Sequence, residues 1–251
     1  MQMMRLRPVV LPVLAGLLVL AAWQYSVLRL KVSPIILPAP NAIVKALTAN
    51  LPLIGEHMTQ TAIEAIAGLV LSSVLGIGLA SALCLFPLFR RAIYPNLVFF
   101  QLIPKVALAP LFIIWLGVGI ETRMAFAAFL AFFPIVVSST AGLLGTDPNL
   151  LRLCRSTSAS EWQTFRAVRF PAALPHVFSG LKIGATMTMI GLIVGEFVTA
   201  QSGLGYLTMF AAANLETALM LATILMICLI GASLYLLMIG LEMLARRRYD
   251  F

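Results

Sequence analysis

Apolar runs of about 20 residues, each long enough to cross the hydrocarbon layer of a bilayer as a helix, recur along the whole chain. They fall at residues 8–28, 62–86, 95–116, 124–144, 178–199 and 218–241, which predicts six spans. In lipid an open backbone has no water to bond, so such spans are helical. The predicted fold class is therefore an all-α polytopic membrane protein, with residues 1–251 forming a single transmembrane domain. Charged residues are 10% of the chain, against roughly 25% in soluble domains, so no separate aqueous domain is expected. The first run follows Arg5 and Arg7, as a secretory signal would. Its apolar stretch exceeds a signal's core, and it is read as a retained helix.

Orientation follows from the basic residues, which collect in cytoplasmic loops. With both termini inside, 12 of the 17 Lys and Arg fall on the inner side, among them Arg90, Arg91, Arg152, Arg155, Arg166, Arg169, Lys182 and Arg246 to Arg248. Four, Arg29, Lys31, Lys45 and Arg123, fall outside, and Lys105 lies within a span. This placement in short loops accounts for the net charge of +8 without a nucleic-acid partner. A multi-pass membrane protein in contact with lipid is expected. Cys84, Cys154 and Cys228 lack metal-type spacing and are read as free thiols. His57 and His176, on opposite sides of the membrane, are read as surface histidines with no shared metal. After a proline-punctuated turn at 34–40, Asn41 is a candidate N-cap for a short outer helix at 42–49.

The inner loop at 145–177 is the longest polar segment, and function is sought there. Ala159, Trp162, Phe165 and Val168 recur at helical spacing, predicting one amphipathic helix over 156–168 flanked by Arg155, Arg166 and Arg169. Pro171 and Pro175 are expected to end it before the fifth span. From periodicity alone such a helix either lies among lipid headgroups or docks a partner.

The wording of the segment decides between these. Arg155-Ser156-Thr157-Ser158-Ala159-Ser160-Glu161-Trp162-Gln163-Thr164-Phe165, then Val168-Arg169-Phe170-Pro171-Ala172-Ala173-Leu174-Pro175 and Gly180-Leu181-Lys182, resembles the cytoplasmic EAA loop of ABC importer permeases. Further stretches, including Leu37-Pro38-Ala39-Pro40, Pro104-Lys105-Val106-Ala107, Phe132-Phe133-Pro134-Ile135, Gly195-Glu196-Phe197 and Gly203-Leu204-Gly205-Tyr206, resemble the nitrate, sulfonate and taurine family, which also holds carriers of thiamine-precursor pyrimidines. The resemblance implies a type I importer permease (MetI-like) fold in a bacterial inner membrane. It implies a homodimer, fed from outside by a soluble solute-binding protein and driven by separate ABC ATPase subunits. It assigns coupling to the ATPase to Ser158, Ala159, Trp162 and Phe165, with Pro171 and Pro175 as a rigid exit. Two departures stand out: Ser158 occupies a position that is usually glycine, and Arg152, Leu153 and Cys154 replace the glutamate and alanines of the motif's name. No phosphate-binding Gly-x-x-x-x-Gly-Lys-Ser/Thr loop is present in the chain, so ATP and Mg are expected on the partner and no cofactor on this chain.

Lys105, about ten residues or roughly 15 Å into the third predicted span, is either a pathway residue or a structural cation reaching a carbonyl or carboxylate. Glu196 is its candidate counter-charge, and both are candidate pathway residues with Pro104 and Pro110, which free backbone carbonyls that suit a cavity. Gly180, Gly184, Thr188, Gly191 and Gly195 form a small-residue ridge for close helix packing. An intramembrane enzyme would want a catalytic constellation that the spans lack. An ATPase-independent secondary transporter or channel would show internal repeats, and none is evident. For the solute, an anion such as a sulfonate, nitrate or taurine and a pyrimidine thiamine precursor both remain open.

Overall fold

A computed structural model describes residues 3–199 and 202–249. In chain order the helices are α1 (Met3–Arg29), α2 (Pro40–Ala49), α3 (Leu51–Leu85), α4 (Pro87–Phe100), α5 (Ala109–Leu116), α6 (Ile120–Leu144), α7 (Pro148–Ser156), α8 (Glu161–Thr164), α9 (Phe170–Thr199), α10 (Leu204–Ala213) and α11 (Thr217–Tyr249). A 3₁₀ turn, Lys105–Leu108, precedes α5, and a π turn, Phe165–Arg169, joins α8 to α9. Five helices are long and apolar enough to cross a membrane, and a sixth span results if α4 and the segment Lys105–Leu116 are counted together.

The core is a three-helix packing of α3, α6 and α9, with α11 and α10 laid against α9. The ridge of small residues on α9 faces α6. A Cβ on Gly184 would stand 2.7 Å from the Ile135 side chain, and one on Gly191 would stand 2.8 Å from the Ala127 backbone. Apolar helices in lipid gain little from hiding apolar surface from each other, so close backbone approach of this kind carries the association. Gly68 and Gly76 of α3 approach the same two α6 residues, Ala127 and Ile135.

Four expectations are corrected. First, the run at 95–116 is not one straight helix: α4 ends at Phe100, and the two halves meet at 93°. Pro104 cannot donate to the ladder, and Pro110 is placed in the first turn of α5, where a missing N–H costs nothing. Second, the amphipathic helix expected over 156–168 is interrupted: α7 stops at Ser156, and α8 starts afresh at Glu161.

Third, Pro171 and Pro175 do not stop the chain before the membrane; helix is continuous from Glu161 to Thr199. For Pro171 the π turn supplies the reason, while Pro175 lies inside α9. The turn's wider i→i+5 bonding gives way to ordinary α-helix at Phe170, whose N–H still bonds Phe165 O. Pro171 follows at once, in the first turn of the α-helical ladder, where the change of register already leaves a carbonyl unpaired. Fourth, the short outer helix is present, but Pro40 begins it after Ala39 as N-cap. Asn41 sits inside, donating its backbone N–H to Gln24 Oε1 at 3.2 Å.

Candidate functional site

The long loop is a built structure. Asp147 caps α7 by accepting the Asn149 N–H at 2.8 Å. At the other end Ser158 N–H donates to Arg155 O and Ala159 N–H to Cys154 O, both at 3.0 Å, the paired bonds of a Schellman C-cap. That motif puts its C′ residue in the left-handed region, and Ser158 has φ +57°. The glycine expected at this position is thus explained by backbone geometry, and a serine there costs about 1 kcal/mol. Ser158→Gly should raise the thermal unfolding temperature of the purified chain by the equivalent of about 1 kcal/mol; no rise would show that the loop does not hold this turn.

Ser160 then caps α8 in a reciprocal box: its Oγ accepts the Gln163 N–H at 3.2 Å, and Gln163 Oε1 accepts the Ser160 N–H at 2.8 Å. The cap fixes where the next residues point. Trp162 is 60% exposed, and its ring is stacked on Phe165 with centroids 5.5 Å apart at 16°. Phe165 is itself buried and packs on Phe170. A large aromatic is therefore held out from the surface by a rigid support, beside exposed Ser158, Arg152, Arg155 and Arg166, with Ala159 half-buried behind it.

Lys105 is half-exposed at the break in the third span, not in mid-helix. Its ammonium lies 4.9 Å from the centroid of the Phe133 ring and donates to Gln101 O at 3.4 Å. A cavity of about 380 Å³ opens beside it, lined by Gln101, Lys105, Phe133 and Pro134 and, on α9, by Met187 and Ile190. Pro104 starts the 3₁₀ turn, its carbonyl accepting the Ala107 N–H at 2.9 Å.

Glu196 is not brought to Lys105. It is fully buried at the opposite end of the bundle from α8, in a cluster the sequence reading missed. Its Oε1 accepts the Thr61 hydroxyl at 2.7 Å, its Oε2 accepts the Gly205 N–H at 2.5 Å, and Thr61 Oγ1 accepts the Leu204 N–H at 2.8 Å. Beside it Arg123 pairs with Glu64 at 2.7 Å, both about 3% exposed, and reaches Ser202 O at 3.0 Å. Gln60 donates to Ser202 Oγ, and His57 Nδ1 accepts the Gly203 N–H at 3.1 Å. His57 is thus half-buried rather than a plain surface residue, and Arg123, expected in an outer loop, is a core residue. The glycines of the 203–205 stretch now have a cause. A Cβ on Gly205 would stand 2.8 Å from Glu196 Oε2, and one on Gly203, at φ +97°, would overlap the same carboxyl group.

An exposed aromatic stacked on a buried one thus stands at one end, a cation borders an apolar cavity at the break in the third span, and a buried polar cluster lies at the other end. Residues 72–248 match the family model described as the binding-protein-dependent transport system inner membrane component, and the chain belongs to that family. Its relatives are permease subunits of transporters, not enzymes. Among them, the formylaminopyrimidine transport permease protein ThiX of Halalkalibacterium halodurans is 34% identical over 88% of each chain. The riboflavin transport system permease protein RibX of Chloroflexus aurantiacus is 32% identical over 92% of this chain and 87% of its own. The taurine transport system permease protein TauC of Escherichia coli is 31% identical over 90% of this chain and 83% of its own.

Proposed function

We propose that this chain is the homodimeric membrane pathway of an ATP-driven importer, receiving solute from a soluble binding protein and taking its power stroke from separate ABC ATPases through α8. The observation that carries the reading is Trp162: exposed, stacked on Phe165, and standing at the start of a helix that runs unbroken to Thr199. An aromatic anchor on a rigid base is what a partner's pocket can grip. In this reading α7, α8 and the arginines face the cytoplasm, following the excess of basic residues at that end. ATP and Mg are bound by the partner. The Lys105 cavity has α6, α9 and the broken span for walls and is open elsewhere, and a second copy related by a two-fold axis would complete it.

The solute that suits an ammonium set in an apolar cavity against an aromatic ring is a small organic anion, such as a sulfonate of the kind the taurine permease relative is named for. The pyrimidine named for another relative is the second reading, supported by that relative's similarity along the same length. Uptake into vesicles carrying the chain, its ATPase and its binding protein tests both. ATP-dependent uptake of labelled taurine or alkanesulfonate, reduced about tenfold by Lys105→Gln through loss of one charge-assisted contact, is the expected result. Uptake that needs no ATPase would overturn the importer reading, and uptake of the neutral pyrimidine unaffected by Lys105→Gln would favour the second solute.

A further inference from the structure

The helix that begins at the exposed aromatic ends at the buried polar cluster. From Glu161 to Thr199 the backbone is helical for 39 residues, about 58 Å at 1.5 Å per residue. Glu196 stands in its last turn, and both of its carboxylate oxygens are engaged, one by the Gly205 N–H of α10 and one by Thr61, which also holds Leu204 N–H. Arg123, Gln60 and His57 fasten the preceding turn to α6 and α3. Glu196 is therefore the side chain through which the long helix hydrogen-bonds α10, beside the apolar packing of the two helices. The fit leaves no room for slack, since a single Cβ on Gly205 would meet both Oε2 and Cβ of Glu196 at under 3 Å, the distances being 2.8 Å and 2.9 Å.

We propose that Glu196 is the positioning residue through which movement of α8 reaches α10. This rests on the function proposed above. A helix packed through glycines along α6 shifts as a body, because close-packed interfaces do not deform gradually. For α10 to lag behind such a shift, the buried carboxylate would have to break its hydrogen bonds to Gly205 and Thr61, and that is costly. α10 in turn exposes Met209 and Phe210, 48% and 47% accessible. It lies at the end of the bundle where a solute-binding protein would be met, so Glu196 links the ATPase side to the receiving side in both directions, as linkage requires.

Hydrogen exchange on the chain in complex with its ATPase, with and without ATP plus orthovanadate, tests this without knowing the solute. In the wild-type complex the nucleotide should change exchange in both the 157–170 and the 202–213 segments. In Glu196→Ala the first response should remain and the second fall about tenfold. Gly205→Ala should do the same by displacing the carboxylate. Should Glu196→Ala fail to assemble, Thr61→Val removes one donor at nearly constant shape and should weaken the distant response in part. A 202–213 response that persists in Glu196→Ala, or that is absent from the wild type while 157–170 responds, overturns the proposal and leaves the importer reading standing. No response in either segment of the wild type overturns both.

Discussion

Arg123→Met should leave almost no folded chain to purify. The substitution keeps the volume of the side chain but strands Glu64, whose carboxylate is about 3% exposed and takes its only cation-borne hydrogen bond among the described residues from Arg123 Nη2 at 2.7 Å. Removing one partner of a buried pair costs about 3–5 kcal/mol, a large part of the roughly 5–15 kcal/mol that holds a typical domain together. Arg123 also loses its two bonds to Ser202, so the turn leading into α10 loosens as well. Yield of monodisperse protein in detergent and its thermal unfolding midpoint are the measurements. The double variant Arg123→Met/Glu64→Leu should recover most of the loss, because a buried pair replaced whole by apolar groups is close to neutral. If the single variant were as stable as the parent, the pair would not be buried as described.

Trp162→Ala should do the reverse, sparing the fold and abolishing assembly. The side chain is mostly solvent-facing and contacts the chain through its stack on Phe165, so unfolding should shift by no more than about 0.5 kcal/mol. A central aromatic anchor lost from an interface costs about 2 kcal/mol or more, which weakens binding about 30-fold. Co-purification of the ATPase with tagged chain should therefore fail, and ATP-dependent uptake should fail with it. A variant that still retains the ATPase at wild-type levels would remove α8 from the interface.

Much of the architecture was legible because lipid imposes it. The spans of α1, α6 and α11 could be read from apolar length alone, and the ridge on α9 from the spacing of its glycines. Where the reading failed, a local device outweighed composition. Ser160 followed by Gln163 is a capping-box signature and marks a helix start, yet the apolar period running through Ala159, Trp162 and Phe165 suggested continuity across it. The prolines at 171 and 175 would break an ordinary helix, and the π turn that admits Pro171 has no composition signal of its own.

Glu64 and Arg123 were overlooked for another reason. A lone acid in the midst of an apolar run demands a partner, but Arg123 sits so near the start of its helix that it passes for a loop residue. Pairing them takes the packing of α3 on α6, which no single segment encodes. For the same reason Glu196 drew attention to the right position and the wrong neighbour.

The wide turn at Phe165–Arg169 amounts to one residue too many for a regular helix. Removing it would rotate everything before it by about 100° relative to everything after, since each residue turns a helix by that angle. A single-codon deletion there could thus swing the tryptophan to a different bearing while leaving the membrane-embedded part unaltered.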